Sequence, residues 1–404
     1  MSNSVSKEPA VALKPSGETA SQSSKVEYSL SNGLQARLAR LDVSLAFTSY
    51  QSSFLYFLGR KPEGGLHLHQ SAVPKPMGLG VENSNRLVLA SGAQIVRYEN
   101  VLEPHERIND TFDACYVPRN THLTGDLDAH DVGIDREGRP IFVNTRYNCL
   151  ATVSSRHSFE MVWKPSFISG LLDGDKCHLN GLAMDEGRPA YVTAVSRSDV
   201  IDGWRDRRAD GGIVIEVETG RVVCTGLSMP HSPRMHMGEL WVLNSGTGEL
   251  GVVKLPDGGK RYAKGSFEPR VFCPGFLRGL AFRGKFAFVG LSKPRYKRFE
   301  GLALDQRLND ADAEPWCGVQ VIDLEKGACV DWLRIDGAVA ELYDVAVIPG
   351  FKCPMAVSPG TPDAATLITV ASTEDSAPHS PASRGKPKPQ GRKSADGRTG
   401  DAHA

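Results

Sequence analysis

No two cysteines in this chain form a C-x-x-C pair; the eight stand apart at positions 115, 149, 177, 224, 273, 317, 329 and 353. That spacing fits neither a zinc ribbon nor a thioredoxin-type redox motif. No basic stretch followed by an apolar segment opens the sequence, so nothing reads as a secretory signal. Together these absences lead us to expect a cytoplasmic protein with reduced, mostly buried thiols. The longest apolar runs, such as VSLAF and FAFVGL, are too short to span a bilayer. An excess of either charge is missing too, since Lys and Arg number 47 and Asp and Glu number 47. Neither nucleic acid nor a membrane surface is therefore an expected partner. The chain has no G-x-G-x-x-G, no G-x-x-x-x-G-K-[ST], no G-x-S-x-G and no H-E-x-x-H, which removes the common nucleotide, nucleophile-elbow and zinc-protease signatures. No WD dipeptide with a G-H partner occurs, which argues against a WD40 protein. Helical periodicity is also scarce; only 34–41 reads as a candidate amphipathic helix.

Both ends have almost no large apolar residues. Residues 1 to about 26 are rich in Ser, Glu and Lys, and 372–404 form a basic, Pro-rich tail. Such segments cannot bury enough surface to offset chain entropy, so both are expected to be disordered. The foldable chain is then 27–371.

What fills that chain is a repeated pattern of short strands. A strand with polar residues at its start is followed by a tight polar turn and a strand rich in Val, Phe, Ile, Leu and Trp. HDVGID-REGRP-IFVNT, from His130, and LNGLAMD-EGRP-AYVTA, from Leu179, share the EGRP that fixes their alignment. MGLGVE-NSN-RLVLAS, SPRMH-MGE-LWVLNS, LRGLAF-RGK-FAFVGLS and LYDVAVIPG are further copies. Aligned starts near Gly78, Asp131, Asn180, Pro233, Arg278 and Asp344 recur about every fifty residues, a period that fits four-stranded blades. The expected fold is all-β, a single six-bladed propeller. The strands within 43–70 complete the blade begun at Tyr343; a rival parse makes them a seventh blade.

In a propeller the innermost strands border the axial channel, so these starts converge at one mouth. They bring together Asp128, His130, Asp131, His178, Asn180, His231, Ser232, Arg234, Arg278, Glu341, Tyr343 and Asp344. Three histidines at blade-equivalent places invite a divalent metal on His130, His178 and His231, with Asp131 or Asp344 beside them. The same histidines also suit hydrogen bonding across a wet channel, or metal-free acid–base chemistry. Asn180 and Asp344 suit a hard cation through oxygen. The candidate catalytic set is His130, Asp131, His178 and His231. Arg234 and Arg278 are candidates to hold a carboxylate or phosphate, or else to pair with Glu341 or Asp344. Tyr343 joins the ligand-binding set, and Asn144 and Arg146, ending a second strand, are placed to reach the same mouth. His67 and His69 alternate on what reads as an outer strand. The insertion 196–212 reads as a loop over this face, where Trp204 and Arg205 cover a ligand or simply anchor the loop.

At HDVGID, HLNGLA, MPHSPR and LRGLAF the sequence resembles a bacterial family of propeller-like conserved hypothetical proteins built on a domain of unknown function, over about 40–360. More distantly, the Asn180-Gly181-Leu182-Ala183 strand is similar to that of gluconolactonase/regucalcin-like six-bladed propellers. That resemblance implies an axial divalent cation held by a Glu, two Asn-type ligands and an Asp. Asn180 and Asp344 match; the first-blade Glu has no counterpart in MGLGVE, and His130 and His231 stand where oxygen ligands are expected, which points to a softer metal. Two functions fit this ring. One is an enzyme, metal-dependent or not, acting on a small polar or anionic molecule at the axial mouth. The other is a non-catalytic propeller that binds a peptide or protein partner.

Overall fold

Six sheets, each starting from one inner strand, make the propeller expected from the repeat. The computed structural model describes residues 26–255, 265–295 and 299–370. Residues 26–367 fall in one unit; of a second, 368–404, only 368–370 are described. The expected disorder of the two ends therefore lies outside the described residues, apart from Val26 itself. The inner strands of blades 1 to 6 are Pro76–Glu82, Ala129–Ile134, Leu179–Asp185, Pro230–His236, Phe276–Arg283 and Val345–Pro349. In blade 6, Val345–Pro349 pairs antiparallel with Val43–Ser49, followed outward by Phe54–Arg60 and Leu66–Ala72. Blade 1 gains a parallel outer strand, Pro354–Ala356, and blade 5 an antiparallel one, Glu27–Leu30. No described helix is long and apolar enough to cross a membrane.

The core is a set of slabs between neighbouring blades, because each sheet has two faces to cover. In Val43–Ser49, Leu45 and Phe47 face blade 5 while Ala46 faces blade 1. In Phe54–Arg60, Tyr56 and Leu58 take the first slab and Leu55 and Phe57 the second. Strands buried on both faces need apolar residues at every position, which is why VSLAF and FLYFLG read as continuous runs. The helix Leu34–Leu41 adds Leu34 and Leu38, one turn apart, to the slab between blades 5 and 6. All eight cysteines are free, and every one but Cys329 is buried; burial pushes the Cys149 thiol up to about 12.

Near the axis the ladders break in a repeated way. Met77 and Gly78 leave the ladder of blade 1, His130 and Asp131 that of blade 2, Asn180 that of blade 3, and Arg278 and Gly279 that of blade 5. Blade 4 shifts register between His231 and Arg234. Such bulges turn side chains out of the regular alternation. At one register position the residues alternate around the ring as Gly78, Asp131, Gly181, Ser232, Gly279 and Asp344. Each polar member accepts an N–H from the next blade: Asp131 Oδ2 from Leu182 at 2.9 Å, Ser232 Oγ from Gly279 at 3.1 Å, and Asp344 Oδ2 from Leu79 at 2.9 Å. The glycines are required by space. A Cβ on Gly181 would run into Pro233 and Thr193, and Gly279, at φ +82°, has the Asp344–Val345 backbone in the way.

Candidate functional site

One cavity of about 790 Å³ opens at the mouth where the inner strands begin. Its lining follows the blade register in two tiers. Three residues before the alternating position stand Lys75, Asp128, His178, Met229, Phe276 and Glu341, and all six line the cavity. Four of them, Lys75, Asp128, His178 and Met229, adopt left-handed φ between 45° and 52°, a conformation that costs a side-chain-bearing residue about 1 kcal/mol or more. One residue before the alternating position stand Met77, His130, Asn180, His231, Arg278 and Tyr343. Of these, Met77, His130, Arg278 and Tyr343 line the cavity, while Asn180 and His231 are buried outside its lining.

Partners settle the tautomers. Thr145 donates its hydroxyl to Leu179 O of the next blade at 2.6 Å, so its oxygen accepts from His130 Nδ1 at 2.8 Å, and that same N–H also reaches Asp128 O at 2.7 Å. Ser245 repeats the arrangement for His231, donating to Leu277 O at 2.7 Å while Nδ1 reaches Met229 O at 2.8 Å. His178 Nδ1 donates to Asp175 Oδ2 at 2.6 Å. In all three rings Nε2 is therefore the nitrogen with the free lone pair. Burial, opposed by the Asp128 carboxylate, lowers the His130 imidazole to about 4. Burial and then the Arg278 charge hold His231 well below its usual value. Both are neutral at pH 7. His178 stacks on Trp204 with centroids 4.1 Å apart and meets the His130 ring edge-on at 4.9 Å.

Arg278 makes no hydrogen bond or ion pair among the described residues, and its Nε is buried without a partner. It lies over the Tyr343 ring at 4.8 Å and near Phe276 at 5.5 Å. The cavity's other cations are engaged. Arg295 pairs with Glu341 and donates to Tyr50 Oη, Lys75 sits 3.3 Å from Asp126, Lys293 3.2 Å from Asp336, and Arg205 2.7 Å from Asp202. Arg208 donates to the Arg205 and Glu300 carbonyls. Burial lifts Tyr50 to about 12 and Tyr343 well above its usual value, so both phenols stay protonated.

Several expected site residues are placed elsewhere. The buried Asp131 and Asp344 cluster with the half-buried Arg234 outside the cavity lining. Arg234 binds both Asp131 oxygens, at 2.8 and 3.2 Å, and approaches Asp344 at 3.6 Å. Their charges are thus directed to each other rather than to a ligand. Asn144 is fully buried and accepts the Tyr147 N–H, while Arg146 grips Asp173 at 2.5 and 2.7 Å; neither lines the cavity. His67 and His69 lie on the outer strand of blade 6, both beside Phe112.

The described residues give the expected three-histidine metal site no grouped ligand set. Among the described residues no three His, Cys, Asp or Glu side chains are grouped so as to hold a metal ion. The His178 face is covered by Trp204, and His231 packs against Phe276 at 5.5 Å. The oxygen set does not fit an axial cation either. Asn180 Oδ1 accepts from Thr193, and both Asp344 oxygens accept backbone N–H groups.

Asp175, Tyr50, Lys293, Arg295, Phe276 and Phe299 also line the cavity, outside the set expected from sequence. Most come from loops, and only Phe276 carried a signal, its place three residues before Gly279.

Fold and site together define a six-bladed β-propeller with a His- and Arg-bearing cavity at one axial mouth. The chain belongs to the family described as Domain of unknown function (DUF4915), whose model matches residues 32–357. No curated protein matches it. Among solved structures it is similar to a chain of a nidogen/laminin complex, at 10% identity and TM-score 0.46, covering 76% of this chain and 99% of that one. It is also similar to virginiamycin B lyase from Staphylococcus aureus, at 10% identity and TM-score 0.36, covering 77% and 99%. A third is the PQQ-bound aldose sugar dehydrogenase from Streptomyces coelicolor, at 11% identity and TM-score 0.41, covering 72% and 91%.

Proposed function

We propose that the axial cavity is the active site of an enzyme that binds a small carboxylate through Arg278 and moves a proton on it with His178. The observation that carries this reading is a guanidinium without an acidic partner in the same cavity as a carboxylate-backed imidazole. A cation of this kind favours a carboxylate, which matches the fork of its N–H groups. Asp175 fixes the His178 tautomer and would stabilise the imidazolium formed when Nε2 takes a proton, as a base's orienting partner does. His130, held neutral beside it, adds an uncharged acceptor, so no second imidazolium opposes proton uptake. None of these steps needs a metal ion.

Proton transfer is tested by deuterium uptake. A panel of short 2-oxo and 2-hydroxy carboxylates is incubated with the protein in D₂O and followed by ¹H NMR. Protein-dependent loss of the C–H signal next to the carboxyl-bearing carbon or carbonyl is expected, and His178→Asn and Arg278→Met should abolish it. If no carboxylate raises the melting temperature of the wild type above its effect on Arg278→Met, the reading fails.

A further inference from the structure

The cavity has two unlike sides, and among the described residues one guanidinium without a hydrogen bond or ion pair, Arg278, sits at their seam. On one side Lys75, Asp128, Asp175, Lys293, Arg295 and Glu341 present charge. On the other, Trp204 and Met229 cluster with Phe276 and Leu302, and Phe299 packs with the same two residues. Phe276 and Phe299 lie nearly parallel, with centroids 6.1 Å apart. The five form a continuous apolar wall that lines the cavity from blades 3 to 5. The wall is built rather than incidental. The Phe299 N–H donates to Asp305 at 2.7 Å, and Leu304, in the helix Ala303–Asp310, donates its N–H to Gly246 O at 2.9 Å. Leu304 and Leu308 back Phe299 from behind. Arg278 stands between Phe276 of this wall and Tyr343.

We infer that the ligand is a carboxylate carrying an apolar body about the size of an aromatic ring, its carboxylate on Arg278 and its body on the Trp204–Met229–Phe276–Phe299–Leu302 wall. This rests on the reading of Arg278 as the anion anchor and adds the substrate class. Two kinds of carboxylate differ in what this wall does for them. An apolar body removes its own surface and that of the wall from water. A polyhydroxylated body would turn hydroxyls toward side chains whose one N–H, on Trp204, is itself buried, and most would lose their water uncompensated. The half-buried Phe276 ring adds aromatic contact for a planar group.

The experiment is isothermal titration calorimetry of the full chain with 3-phenylpropanoate and with gluconate, on wild type, Leu302→Ser, Phe276→Ala and Arg278→Met, with far-UV melts to confirm folding of each. We expect 3-phenylpropanoate to bind at least tenfold more tightly than gluconate. Leu302→Ser should remove most of that preference, and Phe276→Ala, if folded, should do the same. Equal or tighter gluconate binding, with Arg278→Met weakening both ligands, would overturn the apolar body while leaving the anion anchor standing. Binding of neither ligand, or binding of both untouched by Arg278→Met, overturns the anchor and this inference with it.

Discussion

Arg234 Nη1 lies 2.8 Å from Asp131 Oδ2, across 103 residues of sequence and two blades of the ring. Arg234 also donates to the carbonyls of Leu182 and Leu280, so one guanidinium touches blades 2, 3 and 5 near the axis. Both of its carboxylate partners are almost wholly buried. Removing the cation would leave two buried acids without compensation. Arg234→Met is therefore expected to lower unfolding free energy by about 3–5 kcal/mol. Denaturant titration measures this, and a loss below about 1 kcal/mol would show that the cluster is not a fastening of the ring.

Asp344 in that cluster makes stability depend on pH. Burial, opposed by the Arg234 charge and reinforced by Asp131, raises its carboxyl from 3.8 to about 7. Between those values the folded protein holds a proton that the unfolded chain has released. This group's contribution is thus complete below about pH 4 and is lost as pH rises to about 7. Asp344→Asn removes the titration along with one of the two accepted N–H bonds. The variant should be less stable than wild type at pH 4, and the gap should narrow toward pH 7 by on the order of 3 kcal/mol. A gap that is constant across this range, measured by melts at each pH, would count against the shift.

His130 acts in the opposite direction over an overlapping range. Its folded value of about 4 lies below the ordinary 6.5, so between them the unfolded chain binds the extra proton. The contribution is present above about pH 6.5 and is lost as pH falls toward 4. His130→Gln should cost most at pH 7 and progressively less on acidification, by on the order of 3 kcal/mol across the window. Thr145→Val removes the hydroxyl that joins His130 to Leu179 and is expected to cost about 1–2 kcal/mol with little pH dependence of its own. Melts of the two variants side by side separate the titration from the hydrogen bond.

The contrast between His130 and Asp131 also explains how far the sequence could be read. The shared EGRP turns located the second strands of blades 2 and 3, and the fifty-residue period located the inner strands, because each blade must repeat its apolar pattern to cover its neighbours. The ring at His130, Asn180, His231, Arg278 and Tyr343 was legible for the same reason. Which members face the cavity was not. Alternation cannot assign the facing of residues in a bulge, and the bulges fall at these positions. His130 thus lines the cavity while its neighbour Asp131 turns to Leu182 and Arg234. The upper tier was hidden for a second reason. That holds for Lys75 and Met229, which like the expected Asp128 and His178 precede their strands with left-handed backbones, a conformation that nothing in those residue types announces. Asp175 and Arg295 come from loops whose approach depends on the closed ring.

Asp175 offers the sharpest test of the proposed chemistry, because it acts through a tautomer. Its Oδ1 accepts the His178 backbone N–H at 2.8 Å and its Oδ2 accepts Nδ1–H at 2.6 Å. Asp175→Asn keeps the size and the backbone contact, since the amide oxygen can still accept the His178 N–H. The amide nitrogen then faces Nδ1 and donates to it, so the proton moves to Nε2 and the free lone pair there is lost. Two measurements follow. The ¹⁵N shifts of the His178 ring nitrogens, read from protein labelled at histidine, should exchange their protonated and unprotonated signatures. Any deuterium uptake catalysed by the wild type should fall by on the order of 10³-fold, while carboxylate affinity, which depends on Arg278, changes by no more than about threefold. If the ring nitrogens keep their original signatures and uptake nonetheless collapses, Asp175 supports the loop rather than the base. If the signatures exchange and uptake survives, His178 Nε2 is not the atom that takes the proton.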